Sequence, residues 1–285
     1  MKTLVIGGTG QVGSLVVQGL AAKGAAVRVM SRSKDKAAGL PNGVELVAAD
    51  LNDPTQARPG FDGVDAVFMV NAMSPSEANE GLTAVALARL AGVKRFVYMS
   101  VHRVDDAPYL PHFGAKIAIE TAVRTMGAAW TILRPSSFFQ NNARLKAAIL
   151  EHGAYPLPLG SVGVHCVDIR DIADAAVNAL TSDNFANRTY AIVGPRALTG
   201  PEAAEILGSK LGKPLVYAGD LDAWAKAMSA FLPAGIVFDV QQMYAFFQQK
   251  GLLATPEDLE DSEAIVGHPG RTYEDYATEL AAAWQ

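Results

Sequence analysis

The stretch Gly7-Gly8-Thr9-Gly10-Gln11-Val12-Gly13 places glycines at 7, 10 and 13, a G-x-x-G-x-x-G spacing. That spacing suits the holding of a pyrophosphate. Residues without a Cβ let backbone N–H groups approach an anion, and a helix opening at the turn adds the positive end of its dipole. About 20 residues further on, an NAD-binding chain places an acid against the ribose 2′-hydroxyl. Here the corresponding stretch Val29-Met30-Ser31-Arg32-Ser33-Lys34 contains no acid. Arg32 and Lys34 suit a 2′-phosphate instead, Arg32 by paired hydrogen bonds and by stacking on adenine. The expected cofactor is therefore NADPH rather than NADH, held by Gly7, Thr9, Gly10, Gln11, Val12, Gly13, Arg32 and Lys34. Asp50 and Leu51 would reach the adenine edge, and Asn71 and Ala72 the nicotinamide ribose.

These residues need strands that end beside them. Thr3–Ile6, Val27–Ser31, Val44–Ala49, Val64–Val70, Phe96–Ser100 and Trp130–Leu133 are short apolar runs closed by Gly, Pro or polar residues, the pattern of buried strands. Between them, Val12, Leu15, Val16 and Leu20, and again Leu82, Val85, Ala86 and Leu90, recur at helical spacing. Strand–helix alternation predicts an α/β fold, a Rossmann doubly wound parallel sheet, whose strand ends carry the site. Thr189–Val193 is expected to add a further strand. Residues 1–150 are assigned to dinucleotide binding, and residues 151–285 to a smaller, mostly helical part that binds substrate in a cleft. Within the latter, Tyr155–Gly163 reads as an irregular loop and Asp168–Leu180 as a helix. Thr199-Gly-Pro-Glu202 and Thr255-Pro-Glu-Asp258 have the spacing of helix-starting capping boxes.

Composition narrows the function classes. The chain has 285 residues, 24 basic and 29 acidic, for a net charge of −5, and shows no basic stripe for nucleic acid. Apolar runs fall short of the roughly 18 residues that span a bilayer. Met1-Lys2-Thr3 leads into a short apolar run without the pattern of a secretory leader. One cysteine, Cys166, forbids an internal disulfide and reads as a small buried hydrophobe. A cytoplasmic globular protein without metal ligands is expected, with no nucleic-acid or membrane partner. The alanine-rich helix Glu274–Trp284 offers a face for a homodimer.

The motif GGTGQVG, Arg32, Ala49-Asp50-Leu51, Thr131-Ile-Leu-Arg-Pro-Ser-Ser-Phe-Phe-Gln-Asn141 and Val167-Asp-Ile-Arg-Asp-Ile-Ala173 together resemble the NmrA-like group of atypical short-chain dehydrogenase/reductases. The resemblance runs to about residue 220. It implies an NADPH-dependent reductase acting on a small aromatic quinone, azo or triphenylmethane acceptor, without flavin or metal. The group also holds non-catalytic NADP redox sensors that act through a protein partner, and isoflavone-type reductases are similar relatives.

Ordinary short-chain dehydrogenases carry Ser after strand five and Tyr-x-x-x-Lys on the next helix. Ser100 and Lys116 stand in those places, but His112 replaces the tyrosine. The resemblance thus implies Lys116 at the nicotinamide ribose, His112 as proton donor and Ser100 beside them, the first two sharing a helix face. After strand six, Pro135 and Ser136 turn polar backbone toward the carboxamide. Phe138 and Phe139 would wall the ring or a flat substrate, with Asn141, Tyr155 and His165 closing the substrate side.

Overall fold

The computed structural model describes residues 1–33, 35 and 39–284. Seven strands form one sheet: β1 (Lys2–Ile6), β2 (Ala26–Ser31), β3 (Glu45–Ala48), β4 (Ala66–Met69), β5 (Arg95–Met99), β6 (Ala129–Pro135) and β8 (Arg188–Ile192), in the order β3-β2-β1-β4-β5-β6-β8. The neighbours among β1 to β6 run parallel, Ile6 lying beside Met30 on one side and Met69 on the other. All four residues of β4 and the last four of β1 and β5 are buried, which is why they read as unbroken apolar runs. From β1 the chain winds outward to β2 and β3, then returns through β4 to β6. The strand order therefore reverses between β1 and β4, and in sheets of this kind ligands bind at the carboxyl ends of the strands at that point.

The chain divides into two compact units. Met1–Pro135, Ile172–Tyr190 and Ala264–Gly267 form the first; Ser136–Asp171, Ala191–Glu263 and His268–Gln285 form the second. The division is thus discontinuous, where the sequence suggested one boundary near residue 150. In the first unit, α1 (Gln11–Ala22) meets α6 (Ile169–Thr181) where Gly19 faces Val177. The short α2 (Pro54–Ala57) is capped by the Asp53 carboxylate. Helices α3 (Glu77–Leu90) and α4 (Pro111–Thr125) pack together at Gly81, where a Cβ would lie 2.3 Å from Ile119 Cδ1. This close approach, one turn earlier along each helix, brings Glu77 and Lys116 face to face.

In the second unit, α5 (Lys146–His152) precedes β7 (Ala154–Tyr155), which pairs in parallel with β9 (Val216–Tyr217). Helix α7 (Gly200–Leu211) starts with the expected capping box, Thr199 and Glu202 each bonding the other's backbone N–H. After α8 (Leu221–Met228) and α9 (Ala234–Lys250), α10 (Pro256–Val266) begins in the same way, through Thr255 and Asp258. Helix α11 (Tyr273–Trp284) buries Tyr273, Tyr276, Ala277, Leu280 and Ala281 and packs on α7. The apolar face expected to pair with a second copy is therefore covered within the chain. No helix among the described residues is long and apolar enough to cross a membrane.

Candidate cofactor site

The turn after β1 requires its glycines. Gly7 has φ +80, and its carbonyl accepts the Gly10 N–H at 3.0 Å. A Cβ on Gly7 would lie 2.5 Å from the Val70 carbonyl oxygen, and one on Gly13 would lie 2.1 Å from the Gly7 oxygen. These are backbone atoms, so neither contact is relieved by a side-chain rotation. Gly10 is the extended N-cap residue of α1; no side chain caps the helix and no acid occupies its first turn. Orphan N–H groups and the positive dipole end thus remain for an outside anion. Thr9 and Gln11 flank the turn, whereas the Val12 side chain is core and only its backbone can serve.

Arg32 follows β2 directly and is exposed. It contrasts with buried Arg28, which donates to the Gly60 and Asp62 carbonyls, both at 2.9 Å, and pairs with Glu45 at 3.0 Å. Lys34 lies outside the described residues. After β3, Asp50 accepts the Asn52 N–H at 2.9 Å in a local turn. Leu51 belongs to the hydrophobic core and, like Val12, can offer only backbone.

Two strand ends carry buried polar groups without protein partners. Both amide atoms of Asn71, just past β4, are buried and unbonded, and exposed Ala72 follows. The Ser100 Oγ beyond β5 is buried and equally unbonded. Such groups are costly unless a ligand or water satisfies them. With the glycine cradle and the uncapped helix they fit a dinucleotide laid across the strand ends.

Lys116 on α4 is a buried cation, not a surface charge. Its side chain is 10% exposed and its Nζ lies 2.9 Å from Oε1 of Glu77, itself 2% exposed. The contact is an ion pair off line for a hydrogen bond, and neither Glu77 oxygen has another donor. Nζ also sits 5.8 Å from the Tyr98 ring centroid. Burial, with the charges of Glu77 and Glu120, pushes the Tyr98 phenol well above its usual range. Glu120 is held by Arg134 at 2.9 and 2.7 Å and by Arg124 at 2.7 Å. His112, one turn before Lys116, is buried with its ring edge-to-face on Phe113. Glu77 and Tyr98 were not singled out in the sequence. A helix-starting acid reads as a dipole partner, and a tyrosine inside an apolar run reads as core.

Within the second unit, the Ser136 Oγ is buried and unbonded, directly after Pro135 closes β6. Phe138, half-buried, bridges to Val167, and the Asn141 N–H donates to the Phe138 carbonyl at 3.2 Å. Phe139 is core rather than a free platform, packing on Tyr273 and Tyr276 at 5.3 and 5.6 Å between ring centroids. Tyr155 does not close over a surface either: it is fully buried on β7, and burial pushes its phenol up. The apolar residues around it, Leu157 and Leu159, draw the loop into the interior. His165 is half-buried; its Nδ1 accepts the Ala254 N–H at 3.0 Å, and burial lowers its pKa. Cys166 is buried as expected, with its thiol pushed up to about 12.

The model of the NmrA-like family matches residues 1–277. The NAD(P)H azoreductase of Xenophilus azovorans is 33% identical over 286 residues, covering 99% of this chain and 98% of that protein. A (4-alkanoyl-5-oxo-2,5-dihydrofuran-3-yl)methyl phosphate reductase of Streptomyces griseus is 34% identical over 284 residues, with 99% and 98% covered. The crystal structure of Citrobacter sp. triphenylmethane reductase complexed with NADP(H) superposes with a TM-score of 0.85 at 26% identity, over 98% of this chain and 99% of that one. The glycine cradle, the reversal of strand order and these matches agree, and the chain is a member of the NmrA-like family.

Proposed function

We propose that the chain is a reductase that uses NADPH and delivers hydride to a flat conjugated acceptor of the quinone, azo or triphenylmethane type. The observation that carries this reading is the cradle between β1 and β4: glycines whose Cβ atoms would strike backbone, below a helix N-terminus that no side chain caps. The N–H groups of that turn bind the pyrophosphate, and exposed Arg32 selects the 2′-phosphate. Asn71 and Ser100 gain at the nicotinamide end the hydrogen bonds they lack within the chain. Lys116 holds a positive charge there. The bound nicotinamide supplies the hydride from its C4; the protein supplies orientation and field.

The named activities of the relatives support a reductase, and the acceptor class follows from the acid machinery. His112 stands where a phenol would normally donate a proton, and Tyr98 is a poor acid because burial and carboxylates disfavour its ionisation. Acceptors that spread the incoming charge need such a donor least. The test is NADPH consumption, followed by its absorbance, with panels of quinones, azo dyes and triphenylmethane dyes, repeated with NADH. Turnover that prefers NADPH is expected. Tight NADPH binding without turnover of any acceptor would overturn the reading and point to a redox sensor.

A further inference from the structure

We propose that Glu77 is a positioning residue for Lys116, holding its ammonium at a fixed place; the proposal rests on the reading that Lys116 serves the nicotinamide end of the cofactor. A buried ammonium is costly unless a counter-charge accompanies it. The groups that face Lys116 come from three elements: Glu77 on α3, Tyr98 on β5, and His112 and Glu120 on its own helix. Glu120 is engaged by two arginines, and Tyr98 stays neutral. Glu77 is therefore the carboxylate that balances Lys116. The first turn of α3 suits it, because the helix dipole there favours negative charge.

The geometry also leaves Lys116 able to work. An ammonium has three N–H donors, and the Glu77 contact directs one side of it while the Tyr98 ring covers another. In this reading a ribose hydroxyl meets a donor on the side that neither group covers. An apolar pair of similar volume would hold α3 and α4 together as well as a buried ion pair or better. Packing alone therefore gives no reason for this pair, whereas a charge kept at a fixed place does.

The test is NADPH affinity, followed by cofactor fluorescence, in wild type, E77Q, K116M and the E77Q/K116M pair, with urea unfolding measured alongside. Without the carboxylate, the ammonium is no longer held in place. E77Q is expected to bind NADPH about tenfold more weakly than wild type, and to add less than about twofold once Lys116 is methionine. An E77Q affinity equal to wild type, or an equal loss in both backgrounds, overturns the proposal, since a scaffold role does not depend on the lysine. If E77Q does not fold, E77D carries the test. Its shorter reach keeps the charge but misplaces the ammonium, so affinity falls with Lys116 present and not in K116M; an equal loss in both backgrounds, or no loss in either, overturns the proposal. Because binding needs no acceptor, a wild type that turns over nothing would remove the reductase reading and leave this test intact.

Discussion

Replacing Gly13 by alanine tests the cradle with the smallest possible change. The new Cβ would stand 2.1 Å from the Gly7 oxygen, 2.7 Å from the Gly7 carbonyl carbon and 2.9 Å from Gly8 Cα, all backbone atoms. Ordinary carbon–oxygen contact is above about 3 Å, so the start of α1 and the Gly7 turn must part by about 1 Å. Overpacking of this size costs about 1–3 kcal/mol of stability, offset by up to about 1 kcal/mol from alanine's better helix propensity. The effect on the cofactor is larger. An N–H to phosphate bond stretched by about 1 Å is no longer a hydrogen bond, and a bond to a charged group contributes about 1.5–3 kcal/mol. Loss of one such bond weakens NADPH by about 10- to 150-fold. Fluorescence titration with NADPH, run beside urea unfolding, separates the two effects. Gly235→Ala is the control: nothing lies within 4 Å of its Cβ position, so stability holds or rises and affinity stays. A folded G13A protein that binds NADPH within about threefold of wild type would refute the assignment of this turn to pyrophosphate.

Arg32→Ala is expected to weaken NADPH by about 10- to 100-fold while leaving NADH nearly unchanged, as read from KM for each cofactor; equal losses would return Arg32 to a solvent-facing role. Lys116→Met strands the buried Glu77 carboxylate and should lower unfolding free energy in urea by about 3–5 kcal/mol, with most of it recovered in the E77Q/K116M pair. A loss below about 1 kcal/mol would mean that the pair is not dry. The Cys166 thiol, pushed up to about 12, should resist a disulfide reagent at pH 8 until denaturant unfolds the chain. Its folded value lies above the unfolded one, so the unfolded state sheds its proton first as pH rises. This group therefore lowers stability by about 1.4 kcal/mol per pH unit above about pH 9, and equal reactivity of native and unfolded protein would falsify the burial.

The strands and the glycine turn were legible because each depends on a local pattern. Ala66–Met69 is buried on both faces and so is apolar throughout, and Gly7 and Gly13 mark places where backbone must touch backbone. The capping boxes at Thr199 and Thr255 were legible for the same reason, being complete within four residues. What the sequence hid is what depends on partners distant in the chain. Glu77 and Lys116 lie 39 positions apart and meet only because Gly81 admits Ile119. Phe139 and Tyr155 were read as substrate-facing from their type and their polar, Pro-rich neighbours; Tyr273 and Tyr276 cover the first, and β9 pairs with the strand of the second. The division into two units follows a helix and a strand that return to the first unit, which no shift in composition records.

The electrostatics around Lys116 carry a consequence for chemistry. In the usual arrangement of these reductases a lysine beside a phenol eases its ionisation and so makes it a ready proton donor. Here the phenol beside the lysine is Tyr98, and the carboxylates of Glu77 and Glu120 act on it in the opposite sense, adding to the effect of burial. The positive charge of Lys116 is spent on Glu77 rather than on lowering a phenol. An aliphatic ketone that accepts hydride becomes a strongly basic alkoxide, and a missing acid costs it about 10²- to 10⁴-fold in rate. A quinone becomes a phenolate whose conjugate acid has a pKa near 10, so water can complete the protonation after the hydride has moved. On the proposed reading, the residues around Lys116 thus leave the site weak as an acid, and the acceptors that suit it are those whose anions do not need one.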